Sequence, residues 1–212
     1  MLALVAVCLA ALTACTSTAS DPTTTAPGAA SPTATTSPTA SGHTAASIAT
    51  ALDGLAFDGM PATQIAPPPN GRFSMCPTGT PFSQSGSTFG WKHYGTYPND
   101  FTVYTYVFQD AAAAKAAAAA SFDEVGGCTK EQTVGSATIK PGDRGKGTFG
   151  THQMIYVVVG VRDQLGLTFA KRYLTVVGNV VVFTSQRTAT QAEAQNTVDD
   201  TVAVIKAISG DR

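Results

Sequence analysis

The stretch from Met154 to Gln186 constrains the fold more than any other part of the 212-residue chain. In MIYVVVGVR, Ile155, Val157, Val159 and Val161 alternate onto one side while Met154, Tyr156, Val158, Gly160 and Arg162 take the other, the two-residue period of a β-strand. A turn over Asp163–Gly166 leads into LTFAKRYLTVV, and Gly178-Asn179 makes a two-residue hairpin turn into VVVFTSQ. Pairing outward from that turn sets Leu174 opposite Phe183 and Val176 opposite Val181, so one face is wholly apolar. The other face, with Tyr173, Thr175, Val182 and Thr184, is mixed. Leu167 and Phe169 have the opposite parity to Leu174, and a β-bulge near Lys171-Arg172 is expected to reconcile the two halves. Successive hairpins of this kind specify an α+β fold: a mostly antiparallel twisted sheet with helices packed on one side.

The flanking elements follow from local chemistry. Thr102 to Phe108, TVYTYVF, is β-branched and aromatic throughout and reads as a strand. Asp110 can cap AAAAKAAAAASFDEV, where alanine supplies high helix propensity and a smooth flank, and Gly126-Gly127 ends it. Glu131 to Ile139 reads as a further strand, and KPGDRGKG, residues 140–147, as a mobile solvated loop. Upstream, Ile48, Leu52 and Leu55 share one face of a short helix beginning near Thr44. IAPPPNGRFSMCPTGTPF and FGWKHYGTYPNDF, rich in Pro and Gly, read as loops with at most edge strands. Thr190 and Glu193 form a capping box for a last helix that buries Ala194, Val198, Val202, Ile205 and Ile208.

The N-terminal end carries an address. Residues 1–14, MLALVAVCLAALTA, are apolar yet shorter than the ~20 residues needed to span a bilayer, and read as the apolar region of a secretory signal. Leu12-Thr13-Ala14-Cys15 resembles a bacterial lipobox, which makes Cys15 the lipid-attachment residue and first mature residue; the alternative is an ordinary cleavage site that happens to adjoin a cysteine. Residues 15–43 are dominated by Thr, Ser, Pro and Ala, cannot bury enough surface to offset ordering, and are expected to be a disordered tether. As flexible coil it would reach about 30 Å. The folded domain is then residues 44–212, held at the extracytoplasmic face of the cell membrane. With Cys8 removed and Cys15 acylated, Cys76 and Cys128 remain, and an even pair in an exported chain points to a disulfide.

Thirteen Lys and Arg against fourteen Asp and Glu give a net charge of −1, which supplies no basic field for nucleic acid. His43, His93 and His152 lack metal-ligand spacing, no cofactor motif occurs, and GxSxG, SxxK, HExxH and an intact Walker A sequence are absent. The concentration of binding-type residues is Phe89, Trp91, His93, Tyr94 and Tyr97, whose rings can stack on sugars or cover a lipid tail. Arg162 and Arg172 flank one hairpin and could hold an anionic group.

The segment TVYTYVFQDAAAAKAAAAA followed by GGC, and the ending RYLTVVGNVVVFTSQRTATQAEAQNTVDDTVAVIKAI, resemble the extracellular sensor domain of actinobacterial PknH-type serine/threonine kinases, over roughly residues 44–209. The resemblance implies an antiparallel sheet with flanking helices, a ligand cleft and bracing disulfides, of which this chain has cysteines for one bridge only. It transfers no catalytic residues. The expectation is therefore a non-enzymatic, lipid-anchored envelope protein that binds a small molecule, glycan or lipid, with Trp91, Tyr94, Tyr97 and Arg172 as candidate ligand contacts. One alternative is a protein-interaction module serving a cell-wall enzyme or receptor complex. A further alternative, a hydrolase, would need a Ser or Asp paired with His93 or His152 in a pocket.

Overall fold

A computed structural model describes residues 42–57, 59–63, 74–77, 79 and 82–211, Asn196 by its backbone alone. The expected signal, Cys15 and nearly all of the expected tether lie outside the described residues. Eight strands form one antiparallel sheet in the order β1-β2-β3-β8-β7-β6-β5-β4. They are β1 (Ala62–Thr63), β2 (Thr88–Thr96), β3 (Asn99–Val107), β4 (Gln132–Val134), β5 (Ala137–Phe149), β6 (His152–Asp163), β7 (Gly166–Val177) and β8 (Val180–Thr188). The helices are α1 (Ala45–Asp53), α2 (Ala111–Glu124), α3 (Gln191–Asn196) and α4 (Asp199–Ser209). Two meanders, β1 to β3 and β4 to β8, join where β3 pairs with β8.

The α+β class is as expected, with three helices gathered on one side. We call that side the back. Ile48 and Leu52 of α1 and Val204, Ile205 and Ile208 of α4 pack there with Tyr94, Phe101, Val103, Val177, Val180 and Val182. Helix α2 does not join them. Its Ala114 and Ala118 cover the front face, with Tyr106, Ile155, Val157, Leu174, Val181 and Phe183, beside the Cys76–Cys128 disulfide. The continuous run VVVF of β8, buried at every position, is the sequence mark of a strand covered on both faces. Alanine lets α2 lie close to the sheet, and Asp110 starts it by accepting from the Ala113 N–H at 2.8 Å.

Pairing across the β7–β8 turn places Leu174 opposite Phe183 and Val176 opposite Val181, as expected. No bulge interrupts β7, whose register with β6 and β8 is unbroken through Lys171 and Arg172. The parity change has another cause: Leu167 points to the back beyond the reach of the helices and is 44% exposed. The irregularity lies in β5, between Pro141 and Arg144. KPGDRGKG is thus a strand rather than a loop. Beyond its short pairing with β4, β5 borders the sheet, and a proline, a bulge and lysines are the features that keep an edge from recruiting another strand.

FGWKHYGTYPNDF likewise folds into regular structure, the β2–β3 hairpin, because Gly95 at φ 76° and the Tyr97-Pro98 pair supply a tight turn that composition alone disguised as a loop. The expected strand over 131–139 is divided by a turn at Gly135. The capping box of Thr190 and Glu193 forms, but the helix breaks at Thr197-Val198. That break shifts the phase, so α4 buries Thr201, Val204, Ile205 and Ile208 rather than a face through Val198 and Val202. At the β7–β8 turn, Gly178 takes φ 57° and Asn179 is buried. Asn179 Oδ1 accepts from the His43 N–H at 2.8 Å, and its Nδ2 donates to the carbonyls of His43 at 2.9 Å and Phe108 at 2.8 Å.

Candidate functional site

On the front face the strand alternation that buries Tyr106, Tyr104, Phe183, Val181, Leu174 and Val176 changes chemistry toward one end. Continuing the same parity, β2 presents Trp91 then His93, β3 presents Thr102 then Asp100, β8 presents Ser185 then Arg187, and β7 presents Arg172 then Ala170. His93, Thr102, Ser185 and Arg172 stand in one cross-strand row, and Asp100 and Arg187 stand opposite each other in the next. Trp91 and Tyr104 form the aromatic border, their rings 6.1 Å apart. A polar patch thus adjoins an apolar core on one rigid surface.

Its groups are coupled. His93 Nδ1 lies 3.0 Å from Thr102 Oγ1. Asp100 meets the Arg187 guanidinium at 3.5 Å, and that guanidinium also lies over the Tyr97 ring at 5.4 Å. Burial holds His93 below its usual 6.5, with the Arg187 charge acting in the same direction and Asp100 against it. Burial raises Asp100 above its usual value although Arg187 and His93 oppose this. Burial, reinforced by the Arg187 charge, pulls Arg172 down to about 10, so it remains a cation at neutral pH. Clustered perturbed groups of this kind mark functional sites more often than structural surfaces.

Three of the four expected ligand contacts belong to this end of the molecule: Trp91 and Arg172 on the front face, and Tyr97 in the adjoining turn. Tyr94 does not. Its neighbours in β2 face forward, so it faces back, where it is 1% exposed, donates its hydroxyl to the Leu52 carbonyl at 3.0 Å and packs edge-on to Phe57. It is a core residue. His93 was among the aromatic and binding-type residues noted in sequence, whereas Asp100, Thr102, Ser185 and Arg187 were not singled out; the available signal was that each continues the parity of an apolar set in its strand. Arg162, the other cation considered, is exposed near the far β6–β7 turn and belongs to neither patch.

A separate cavity lies elsewhere. A groove of about 900 Å³ runs between α2 and the β5–β6 hairpin, lined by residues including Lys115, Ala118, Phe122, Asp123, Lys146 and Gln153. Its charged side chains are exposed, and its volume reflects a trough open to solvent rather than converging groups. The front-face patch, where buried and half-buried charges face one another, is the stronger candidate. Among the described residues no three His, Cys, Asp or Glu side chains gather as a metal would require. Of the pairings a hydrolase would need, His152, which lines the groove, meets Asp211 at 3.4 Å, while His93 meets a buried threonine, Thr102, at 3.0 Å rather than a serine or aspartate.

No protein-family model matches the chain. No curated protein matches it either. Among solved structures, the crystal structure of the extracellular domain of PknH from Mycobacterium tuberculosis is similar with a TM-score of 0.46 and 17% sequence identity, covering 61% of this chain and 66% of that one.

Proposed function

We propose that this protein is a non-enzymatic ligand-binding domain of the cell envelope, held outside the membrane through a lipid on Cys15. The observation that supports the reading best is the front-face patch: two arginines, a histidine and an aspartate partly or wholly withdrawn from water beside Trp91 and Tyr104. A sheet does not need charged groups there for stability, because burying them costs free energy that apolar residues would not. Recognition of a small molecule, glycan or lipid headgroup gives them a use. Among the described residues no helix is long and apolar enough to cross a membrane, and the attachment we propose is the acyl chain instead.

Trp91 is the only tryptophan in the sequence, so its emission reports on this patch directly. Small molecules released from natively extracted protein should shift that emission saturably when added back to stripped protein. Loss of the shift in Arg172→Met, with the fold intact, would support the site, whereas full binding by Trp91→Ala would move it elsewhere. Cys15→Ala should end labelling by a fatty-acid probe and free the protein into the medium; continued labelling would sink the anchor.

A second reading, a protein-interaction module, is favoured by the far end of the sheet. Val134, Leu165 and Leu167 are 54%, 74% and 44% exposed on neighbouring strand ends and turns. Retention of a stoichiometric partner by the native protein, abolished by Leu165→Ser, would make this the primary role.

A further inference from the structure

Two consecutive residues of β7 place cations on opposite faces, Lys171 buried and Arg172 half-buried, and they are treated very differently. On the back, Lys171 donates to the Gln195 carbonyl at 2.6 Å and sits over the rings of Tyr156 and Tyr173 at 5.0 and 5.3 Å. On the front, Arg172 has five N–H donors and, among the described residues, makes a single long contact, Nη1 to the Ser74 carbonyl at 3.4 Å. Arg187 is also under-used: its Nε is buried without a hydrogen-bond partner among the described residues. The one carboxylate in these rows is Asp100, which meets Arg187 at 3.5 Å. With His93 neutral, the described residues of the patch carry two guanidinium charges against one carboxylate.

The positions are specific. Ser185 is directly opposite Arg172 across the β7–β8 pair, and Arg187 is the next residue of β8 on the same face. Diagonal neighbours of this kind lie about 7–8 Å apart, a separation that two long guanidinium side chains can close around one small anion above the serine. Arg144, in line with Arg172 beyond β6, is already engaged by the Gly126 and Gly142 carbonyls. We propose that Arg172, Ser185 and Arg187 form a cradle for a compact oxyanion, a carboxylate, phosphate or sulfate carried by the ligand. Planar N–H forks match such groups in paired hydrogen bonds, and the serine hydroxyl supplies a donor between them. His93, fixed against Thr102, walls the cradle on the β2 side. This inference rests on the front-face binding reading and adds the chemical class of what is bound.

The test uses the whole chain with sodium phosphate, sulfate and acetate against chloride at constant ionic strength, read by Trp91 emission and by the amide resonances of residues 185–187. At least one oxyanion should bind saturably in the millimolar range, on the order of what a few charge-assisted contacts provide. Arg187→Gln, at a half-exposed position that need not disturb folding, should weaken it about tenfold, the loss of one charge-assisted hydrogen bond. Lys171→Met, on the opposite face, should leave it unchanged. Preference for acetate indicates a carboxylate ligand, and preference for phosphate or sulfate indicates a phosphorylated or sulfated one. The proposal is overturned if no oxyanion binds at about 50 mM, far above a millimolar dissociation constant. It is equally overturned if Arg187→Gln binds as well as the parent. If ligand released from native protein binds at Trp91 and no oxyanion competes, the binding site survives and its anionic character does not; if neither binds, both readings fail.

Discussion

The two faces of the sheet solve the same burial problem with different means. The back is covered by three helices whose contacts are locally completed: Thr184 meets Thr201 at 2.7 Å, Gln186 donates to Asp200 at 2.8 Å, and Tyr173 donates to the Thr197 carbonyl at 2.6 Å. The front has one alanine-rich helix and a coil segment fastened by Cys76–Cys128, whose Cα atoms are 5.3 Å apart. Where that cover ends, the polar patch begins. A face completed by its own side chains is a structural interior, while the face with donors left over is the one we propose meets a ligand.

The contrast can be broken most sharply at the disulfide. Replacing Cys76 and Cys128 together by alanine should cost about 4 kcal/mol in urea unfolding, as expected for a bridge closing a loop of this length. Hydrogen exchange should then show α2 opening more readily than α4; equal loss of protection would mean that the two faces do not differ in how they are held. Ile205→Ala, at a fully buried position on the back, should cost about 3 kcal/mol and reverse that order of opening.

A smaller effect separates completed from spare polar groups. Thr184→Val strands the buried Thr201 hydroxyl and should cost about 1–3 kcal/mol, much of it recovered when Thr201 is also made Val. Ser185→Ala, one residue along but on the front, should change stability by less than about 0.5 kcal/mol. A last effect is in pH. Because burial keeps His93 below 6.5, the unfolded chain takes up a proton that the folded chain resists. Its contribution is complete above 6.5 and is lost as pH falls from there toward the folded value. The stability slope between pH 7 and 5 should therefore be shallower in His93→Asn, by at most about 1.4 kcal/mol per pH unit.

Much of the sheet was legible because period-two patterns survive translation into structure. The Gly178-Asn179 turn fixed the pairing of β7 with β8, and the same alternation oriented β6. Composition misled where turn chemistry sits inside a strand: Pro141, Gly145 and Gly147 made β5 look irregular, and Gly90 and Gly95 did the same for β2. The apparent parity switch in β7 reflected where helices stop, a tertiary fact with no local sign. Of the candidate site, Trp91 and Arg172 were named together from sequence, and they share the front face on β2 and β7, two strands that are not adjacent in the sheet. Tyr94 was grouped with Trp91 by proximity along the chain, which in a strand ignores that the odd spacing between them turns their side chains to opposite faces. Asp100 and Arg187, nearly ninety residues apart, become partners only through the pairing of β3 with β8.

The clasp between Asn179 and His43 has a mechanical side. Two hydrogen bonds fasten the entering chain at His43 to Asn179 in the turn joining β7 and β8, and a third ties Asn179 to Phe108 just after β3, so tension from the N-terminal direction arrives first at the middle of the sheet. Strands at a margin can be peeled away one hydrogen bond after another; interior strands share load with neighbours on both sides. Asn179 thus works as a strain relief, keeping a pull on the leading chain from unravelling α1 and exposing the back of the domain.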